Sequence, residues 1–215
     1  MLGTRPRILI ADDHIFLAEL CKKLLDDEFL VVGIVTDGHA MVREASRLKP
    51  DVVLVDVAMP TLNGLEAGQQ VKKLLPAVRL LYLSMKNDPE IVAEAFRFGA
   101  SGYLLKTCTS SQLVVAARMI LRGSTYMSSI LPREKIDYLR RQDPPSAQNG
   151  RRLTDRQREV LQLLAEGKQM KQVADVLNMT TRTVAFHKYR MMERLGITTT
   201  ADLLRFAVES NIVAA

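Results

Sequence analysis

The sequence predicts an α/β domain on a five-stranded, parallel, doubly wound sheet, followed by a small all-α domain. Three observations carry this. Short apolar, β-branched runs alternate with helix-length segments five times in about the first 120 residues. The stretch Arg140–Arg152 (RRQDPPSAQNGRR) has no apolar periodicity and holds Pro144, Pro145, Ser146, Asn149 and Gly150, the composition of a linker. Beyond it the chain reads as successive amphipathic helices. The expected division is residues 5–122, a linker over 123–151, and residues 152–215.

Taken in order, Arg7–Ala11 is a short apolar strand, followed by a helix over Ile15–Asp27. Val31–Val35 precedes a helix over His39–Leu48, and Val52–Val55 precedes one from Gly64 to Leu75. Val78–Leu83 leads to a helix over Pro89–Phe98, and Gly102–Leu105 to one over Ser110–Leu121. Right-handed crossovers leave few arrangements for such a sheet, and ligands bind beyond the carboxyl ends of its strands.

The composition is that of a globular protein: 215 residues, 47% hydrophobic and 25% charged. No run of about 18 apolar residues suggests a membrane span. The opening MLGTRPRILIADD lacks the architecture of a secretion signal, so a cytoplasmic chain is expected. Cys21 and Cys108 form no CxxC pair and His14, His39 and His187 are scattered, which argues against a disulfide framework or a structural zinc. The net charge of +6 is uneven: from Arg151 onward there are eleven Lys/Arg against seven Asp/Glu. A basic C-terminal unit suits a polyanionic partner; an ordinary basic surface fits the charge equally well.

The strand ends carry the chemistry. Residues 51–60 read DVVLVDVAMP: a run fit for burial on both faces ends in Asp56. Asp12 and Asp13 follow the first strand, Ser84 ends the fourth and Lys106 follows the fifth. Three acids that converge repel one another in a low dielectric, and a hard cation such as Mg²⁺ relieves this while leaving room for phosphate oxygens. Asp, unlike Asn or Ser, can act as a nucleophile and form an acyl phosphate. Lys106 and the Ser84 hydroxyl can then hold the transferred oxygens. Taken singly, each acid also reads as a loop residue or helix cap.

ILIADDH, LVDVAMPTLNGLE, LYLSM and FGASGYLLK occur in order at strand ends, and together they resemble the receiver domain of two-component response regulators. The resemblance covers residues 5–122 and implies a flavodoxin-like fold. It implies that Asp56 accepts phosphate from a sensor histidine kinase. It also implies that Asp13, Asp56 and the backbone carbonyl of Ala58 bind Mg²⁺, with Asp12 acting mainly through water. Ser84 would move to the phosphoryl oxygen, Tyr103 would swing inward as a switch aromatic and Lys106 would pair with the phosphate. Ala58 and Lys86 occupy positions that influence the lifetime of the phosphoryl group. Thr107 stands where many receivers have proline. By period two, Tyr103 and Lys106 lie on opposite faces of their strand, and Tyr103 serves equally as cover for a neighbouring helix.

In the C-terminal part, Thr154 and Gln157 form a capping box ahead of Val160, Leu161 and Leu164. A helix over Met170–Leu177 and another capped by Thr180 and running to Leu195 make a helix-turn-helix, whose second helix enters the DNA major groove in proteins that use it. Its outer face carries Arg182, Ala185, Phe186, Lys188, Tyr189, Arg190 and Arg194, with Thr180 and Thr183 at its start. A helical bundle with a solvated basic face fits the same pattern. LTDRQREVLQLLAEGK with QVADVLNMTTRTVAFHKYRMMERLGI resembles the LuxR-type helix-turn-helix of the NarL/FixJ group. That implies a recognition helix over Thr180–Leu195, base reading at positions 185, 186 and 189, and dimerisation through a last helix over Thr200–Val208. His187 lies toward the inner edge.

The expectation is a transcriptional regulator, not an enzyme, in which phosphorylation of Asp56 drives homodimerisation and binding to promoter sites in double-stranded DNA, with no membrane partner. Two alternatives are a regulator whose receiver serves only protein contacts, and an aspartate-phosphorylating hydrolase. The latter typically carries a second Asp two residues after the nucleophile, where this chain has Ala58.

Overall fold

The computed structural model describes residues 5–85, 87, 89–134, 136–137 and 153–213. It forms two compact units, Met1–Met59 with Gly64–Arg141, and Pro60–Asn63 with Gln142–Ala215.

In the first unit β1 (Arg7–Ala11), α1 (Ile15–Leu25), β2 (Leu30–Val35), α2 (Gly38–Leu48), β3 (Val52–Asp56) and α3 (Gly64–Leu74) are followed by β4 (Arg79–Ser84), α4 (Pro89–Arg97), β5 (Gly102–Leu105) and α5 (Ser110–Leu121). A two-residue β6 (Tyr126–Met127) closes the series. The strands pair in parallel in the order β2-β1-β3-β4-β5-β6. The sheet therefore has six strands where the sequence predicts five. β6 is too short to show a period, and what makes it a strand is backbone pairing: Tyr126 N–H donates to Ser101 O and Ser128 N–H to Tyr103 O, each at 3.1 Å. It falls within 123–151, the segment expected to link the two halves, as do the buried Leu131 and Ile136. Residues 138–152, with the whole of the Pro- and Gly-bearing stretch Arg140–Arg152, lie outside the described residues.

Both faces of the sheet are covered, which is why β1, β3 and β4 read as continuous apolar runs. On one face Ile8, Ile10, Val52, Leu54, Leu81, Leu83 and Leu104 pack with Ala18, Cys21 and Leu25 of α1 and with Leu113, Ala116, Ala117 and Ile120 of α5. The alternate residues Leu9, Val53, Val55, Leu80, Tyr82 and Tyr103 are buried as well. Two glycines permit close approach on α3. A Cβ on Gly64 would lie 1.9 Å from the carbonyl oxygen of Asp56, and one on Gly68 1.9 Å from Tyr82 Oη.

The second unit contains α6 (Asp155–Ala165), α7 (Met170–Val176), α8 (Thr181–Leu195) and α9 (Thr200–Glu209). Their inward residues, among them Val160, Leu161, Val173, Val184, Met191, Leu195 and Leu203, form one core. The expected capping box is present: Gln157 N–H donates to Thr154 Oγ1 at 3.3 Å, and Thr154 N–H to Gln157 Oε1 at 2.9 Å. Asn178 takes a left-handed φ of 52°, and Met179 N–H donates to Ala174 O at 2.9 Å, closing the turn between α7 and α8.

Candidate functional site

Parallel register gathers the expected residues at one edge. Ala11 pairs with Val55, Asp56 with Leu83 and Ser84 with Leu105, so β1, β3, β4 and β5 end side by side. Asp12 N–H continues the ladder to Val35 O at 3.0 Å and Lys106 N–H to Ser84 O at 2.8 Å, so both residues are held by backbone as they leave the sheet. Lys106 then turns its ammonium into the acids, with Nζ 2.9 Å from Asp12 Oδ2 and 3.0 Å from Asp56 Oδ2. The Asp12 and Asp56 side chains are each 3% exposed and that of Lys106 7%. Asp56 is thus paired rather than isolated at the end of its buried strand.

The electrostatics follow from this burial. Desolvation pushes the Asp56 carboxyl above the usual carboxylate range, against the opposing pull of Lys106. Burial also disfavours the Lys106 ammonium, but the hydrogen bond to Asp12 and the charge of Asp56 outweigh it and hold Lys106 above the usual lysine range. One cation cannot balance three acids. Asp13, partly exposed, presents an Oδ1 that is shut off from solvent, with His14 Nδ1 2.9 Å away. Ala58 N–H donates to Asp56 Oδ1 at 3.3 Å, turning the chain toward the acids just past the strand.

The donor set contains one residue beyond those expected. Ligand atoms of Asp12, Asp13, His14 and Asp56 lie within 4.8 Å of one another, a donor set fit for a divalent cation. The sequence signal was present, since His14 directly follows Asp12-Asp13 ahead of α1, but a histidine there also reads as a helix cap. Ser84 is buried at the end of β4. Tyr103 is fully buried, opposite Tyr82 in the β4–β5 register, and stands on the sheet face away from the Leu104 cluster. Lys86 lies outside the described residues.

On the second unit, Thr180 and Thr183 are engaged in starting α8: Thr183 N–H donates to Thr180 Oγ1 at 3.2 Å, and the two hydroxyls lie 2.8 Å apart. Val184, Met191 and Leu195 face the core. Tyr189 is 62% exposed, and Lys188 holds its ammonium 5.7 Å from the Tyr189 ring centroid. Arg190 and Arg194 are exposed, with Arg190 paired to Glu193 at 3.1 Å. Ala185 is half-buried, as is His187, whose imidazole is held below its ordinary range by burial and by the charge of Arg156. The side chains of Arg182 and Phe186 lie outside the described set. Among the described residues no helix is long and apolar enough to cross a membrane.

Comparison with known proteins agrees with both halves. Residues 8–118 match the model of the response regulator receiver domain, and residues 151–207 that of bacterial regulatory proteins, luxR family. The chain is 32% identical over 214 residues to the transcriptional regulatory protein MctR of Rhizobium johnstonii, covering 97% of this chain and 95% of MctR. It is 30% identical to the oxygen regulatory protein NreC of Staphylococcus carnosus, over 96% of this chain and 99% of NreC. Among solved structures, RcsB of Salmonella enterica bound to promoter P1flhDC with phosphomimetic BeF3- superimposes with a TM-score of 0.60 at 25% identity, over 96% of this chain and all of RcsB. With its parallel receiver fold, its acidic strand-end cluster and its helix-turn-helix, the chain belongs to the two-component response regulators that act as DNA-binding transcriptional regulators through a LuxR-type domain, and not to the enzymes.

Proposed function

We propose that Asp56 is the phosphoacceptor of a sensor histidine kinase and that its phosphorylation drives homodimerisation and binding of promoter DNA by the α8 face. The single observation that carries this reading is the placement of the Lys106 ammonium between two nearly inaccessible carboxylates at the carboxyl edge of the sheet. A purely structural ion pair needs one partner acid. A phosphoryl site needs a nucleophilic carboxylate with a cation poised for the added oxygens. In the transfer, the donor's phosphohistidine N–P bond breaks as an Asp56 oxygen bonds to phosphorus. Lys106 then turns its charge to the new phosphoryl group, and the Ser84 hydroxyl donates to another of its oxygens.

Asp13, Asp56 and the Ala58 carbonyl would hold Mg²⁺, with Asp12 acting through water; the placement of an Asp13 carboxylate oxygen within 4.8 Å of those of Asp12 and Asp56 fits that role. The ion supplies charge neutralisation for the approach of an anionic donor. Tyr103, already inward, would be the aromatic whose buried position the phosphorylated state retains. On α8, base reading falls to Arg182, Ala185, Phe186 and Tyr189, and phosphate contacts to Thr180, Thr183, Lys188, Arg190 and Arg194. The receiver spans 5–122, the connecting segment 123–151 and the DNA-binding part 152–215. With free Cys21 and Cys108 and a DNA partner, the chain works in the cytoplasm.

The test is intact-protein mass after incubation with acetyl phosphate and Mg²⁺, beside Asp56→Asn. A single phosphoryl adduct on the native chain, absent without metal and absent in the variant, is the expected result. Tighter binding of promoter DNA by the adduct completes it. DNA affinity identical with and without the adduct would leave the receiver as a protein-contact module.

A further inference from the structure

We infer that Arg156 is a positioning residue of the DNA interface: its guanidinium holds the turn that leads into α8 and so sets the angle at which α8 meets the bases. The inference rests on the reading of α8 as the helix that contacts DNA, and it concerns a side chain of α6 that this reading does not use. Arg156 stands in the first turn of α6, where a positive charge opposes the helix dipole. Its partners explain the placement. Nη1 donates to Glu159 Oε2 at 2.6 Å, and Nη2 donates to the carbonyl oxygen of Leu177, 21 residues away, at 2.5 Å. An ordinary surface pair between residues i and i+3 joins two exposed side chains of one helix. Here the Glu159 side chain is 9% exposed, and the second arm of the fork ends on backbone at the close of α7.

The contact falls where the chain turns from α7 into α8. A helix leaves its last carbonyls without partners inside the helix. At the end of α7, Met179 N–H donates to Ala174 O at 2.9 Å and Asn178 N–H to Asp175 O at 3.3 Å, with Asn178 in the left-handed region. Leu177 O lies beyond those two carbonyls, and Arg156 takes it. Only Asn178, Met179 and the capping Thr180 separate Leu177 from the first residue of α8. The core grips α8 farther along, at Val184, Met191 and Leu195, so the inter-helix turn decides where its first residues point. Glu159 keeps the planar guanidinium fixed against the carbonyl. After burial, the charge of Arg156 is what holds the His187 imidazole of α8 low, so the guanidinium reaches the field of that helix as well.

Leverage makes this hold matter for sequence reading. α8 has 15 residues and is roughly 22 Å long at about 1.5 Å per residue, so a pivot of about 5° displaces one end by about 2 Å relative to the other. A hydrogen bond to a base edge does not survive a shift of that size. Contacts from long basic side chains to phosphates follow such a shift and carry no sequence information. Loss of Arg156 therefore erodes discrimination between DNA sequences and spares affinity for random DNA. The test uses the full chain in acetyl phosphate and Mg²⁺ with two duplexes, one enriched from a random pool by the native chain and one of random sequence. Anisotropy titrations across a salt series compare native, Arg156→Ala, Glu159→Gln and double-variant proteins, at a temperature where circular dichroism shows each fully folded. Arg156→Ala should lose about 10- to 100-fold in affinity for the enriched duplex, keep its affinity for random DNA within about threefold and leave the salt slope unchanged. Glu159→Gln should lose a smaller part of the same discrimination, and the double variant should discriminate no worse than Arg156→Ala, because the carboxylate acts through the guanidinium. Amide exchange at Asn178 and Met179 should quicken by about tenfold in Arg156→Ala while that of Met191 holds.

Native discrimination in folded Arg156→Ala overturns the inference and leaves Arg156 a stabilising pair alone. An equal loss on both duplexes with a salt slope lower by about 0.9 also overturns it, by making Arg156 a phosphate contact. Additive losses in the double variant, or unchanged exchange at the turn, overturn the route through Leu177. Should Arg156→Ala not fold, Arg156→Lys takes its place: it keeps the charge without the planar fork and should lose at least about threefold in discrimination, and native discrimination there overturns the inference too. A native chain that enriches no duplex is a separate result, which refutes sequence reading by α8 and the inference with it.

Discussion

At the scale of single residues, the fold keeps charge buried by pairing it. Lys106 serves Asp12 and Asp56 together, so truncating it leaves two carboxylates in a nearly dry pocket. Lys106→Met should lose about 3 kcal/mol of stability in urea titrations without divalent cation, and millimolar Mg²⁺ should recover a good part of it. Equal destabilisation with and without the ion would show that the lysine's packing, not its charge, is what counts. Cys21 offers a second case. Burial first, then the neighbouring Asp12 and Cys108, push its thiol up to about 11. The unfolded chain releases this proton near pH 9 while the native state retains it, so the contribution is complete below pH 9 and is lost as pH rises toward 11. Lys106, also raised, acts in the same direction, so the comparison needs a variant: Cys21→Ala should flatten the alkaline fall by about 1 kcal/mol per pH unit in that window. At pH 8 iodoacetamide should modify the half-buried Cys108 well before Cys21 in mass-spectrometric time courses.

At the scale of elements, contact between α3 and β4 depends on the absence of one methyl group. A Cβ on Gly68 would stand 1.9 Å from Tyr82 Oη, 3.0 Å from Tyr82 Cζ and 3.1 Å from Leu80 Cδ1, and the Tyr82 ring is fully buried. Gly68→Ala gains up to about 1 kcal/mol in helix propensity, yet overpacking of about 1–3 kcal/mol should win. Tyr82 Oη has no hydrogen-bond partner, so Tyr82→Phe should be close to neutral alone and should rescue Gly68→Ala. A double variant as unstable as Gly68→Ala would trace the strain to the Tyr82 ring carbon Cζ, 3.0 Å from that Cβ and retained in phenylalanine, or to Leu80. The same pair shows where the sequence was legible. Five βα units, the capping box at Thr154 and Gln157, and the strand-end acids follow from period, composition and register, and the elements fall within two residues of their expected limits. The niche of Gly68 and the two-residue β6 have no period to announce them. They arise from contacts between residues distant in sequence or from a turn's geometry, and only the assembled sheet reveals them. The capping Thr180 belongs with the legible features: Thr180→Ala should cost about 1 kcal/mol, read in thermal unfolding.

At the scale of the whole molecule, charge is concentrated where the polyanion would bind: the last 65 residues carry eleven basic against seven acidic side chains, the first 150 residues 19 against 17. Each phosphate neutralised releases counterions and adds about 0.9 to the slope of log affinity against log salt, so the slope counts phosphate contacts, while discrimination between DNA sequences counts base contacts. Lys188→Ala should reduce the slope by about 1 and weaken binding to all sequences alike. Tyr189→Ala, which removes an exposed ring rather than a charge, should leave the slope in place and narrow the gap between specific and random DNA. Phosphorylation can be read on the same axis. A monomer presents one α8 to DNA and a dimer presents two, so the phosphorylated chain should show about twice the slope of the unphosphorylated one on a paired half-site, and the same slope on a single half-site. Filter-binding or anisotropy titrations from 50 to about 200 mM salt measure both. A raised affinity with an unchanged slope on the paired site would mean that the acyl phosphate alters the fit of one recognition helix rather than recruiting a second.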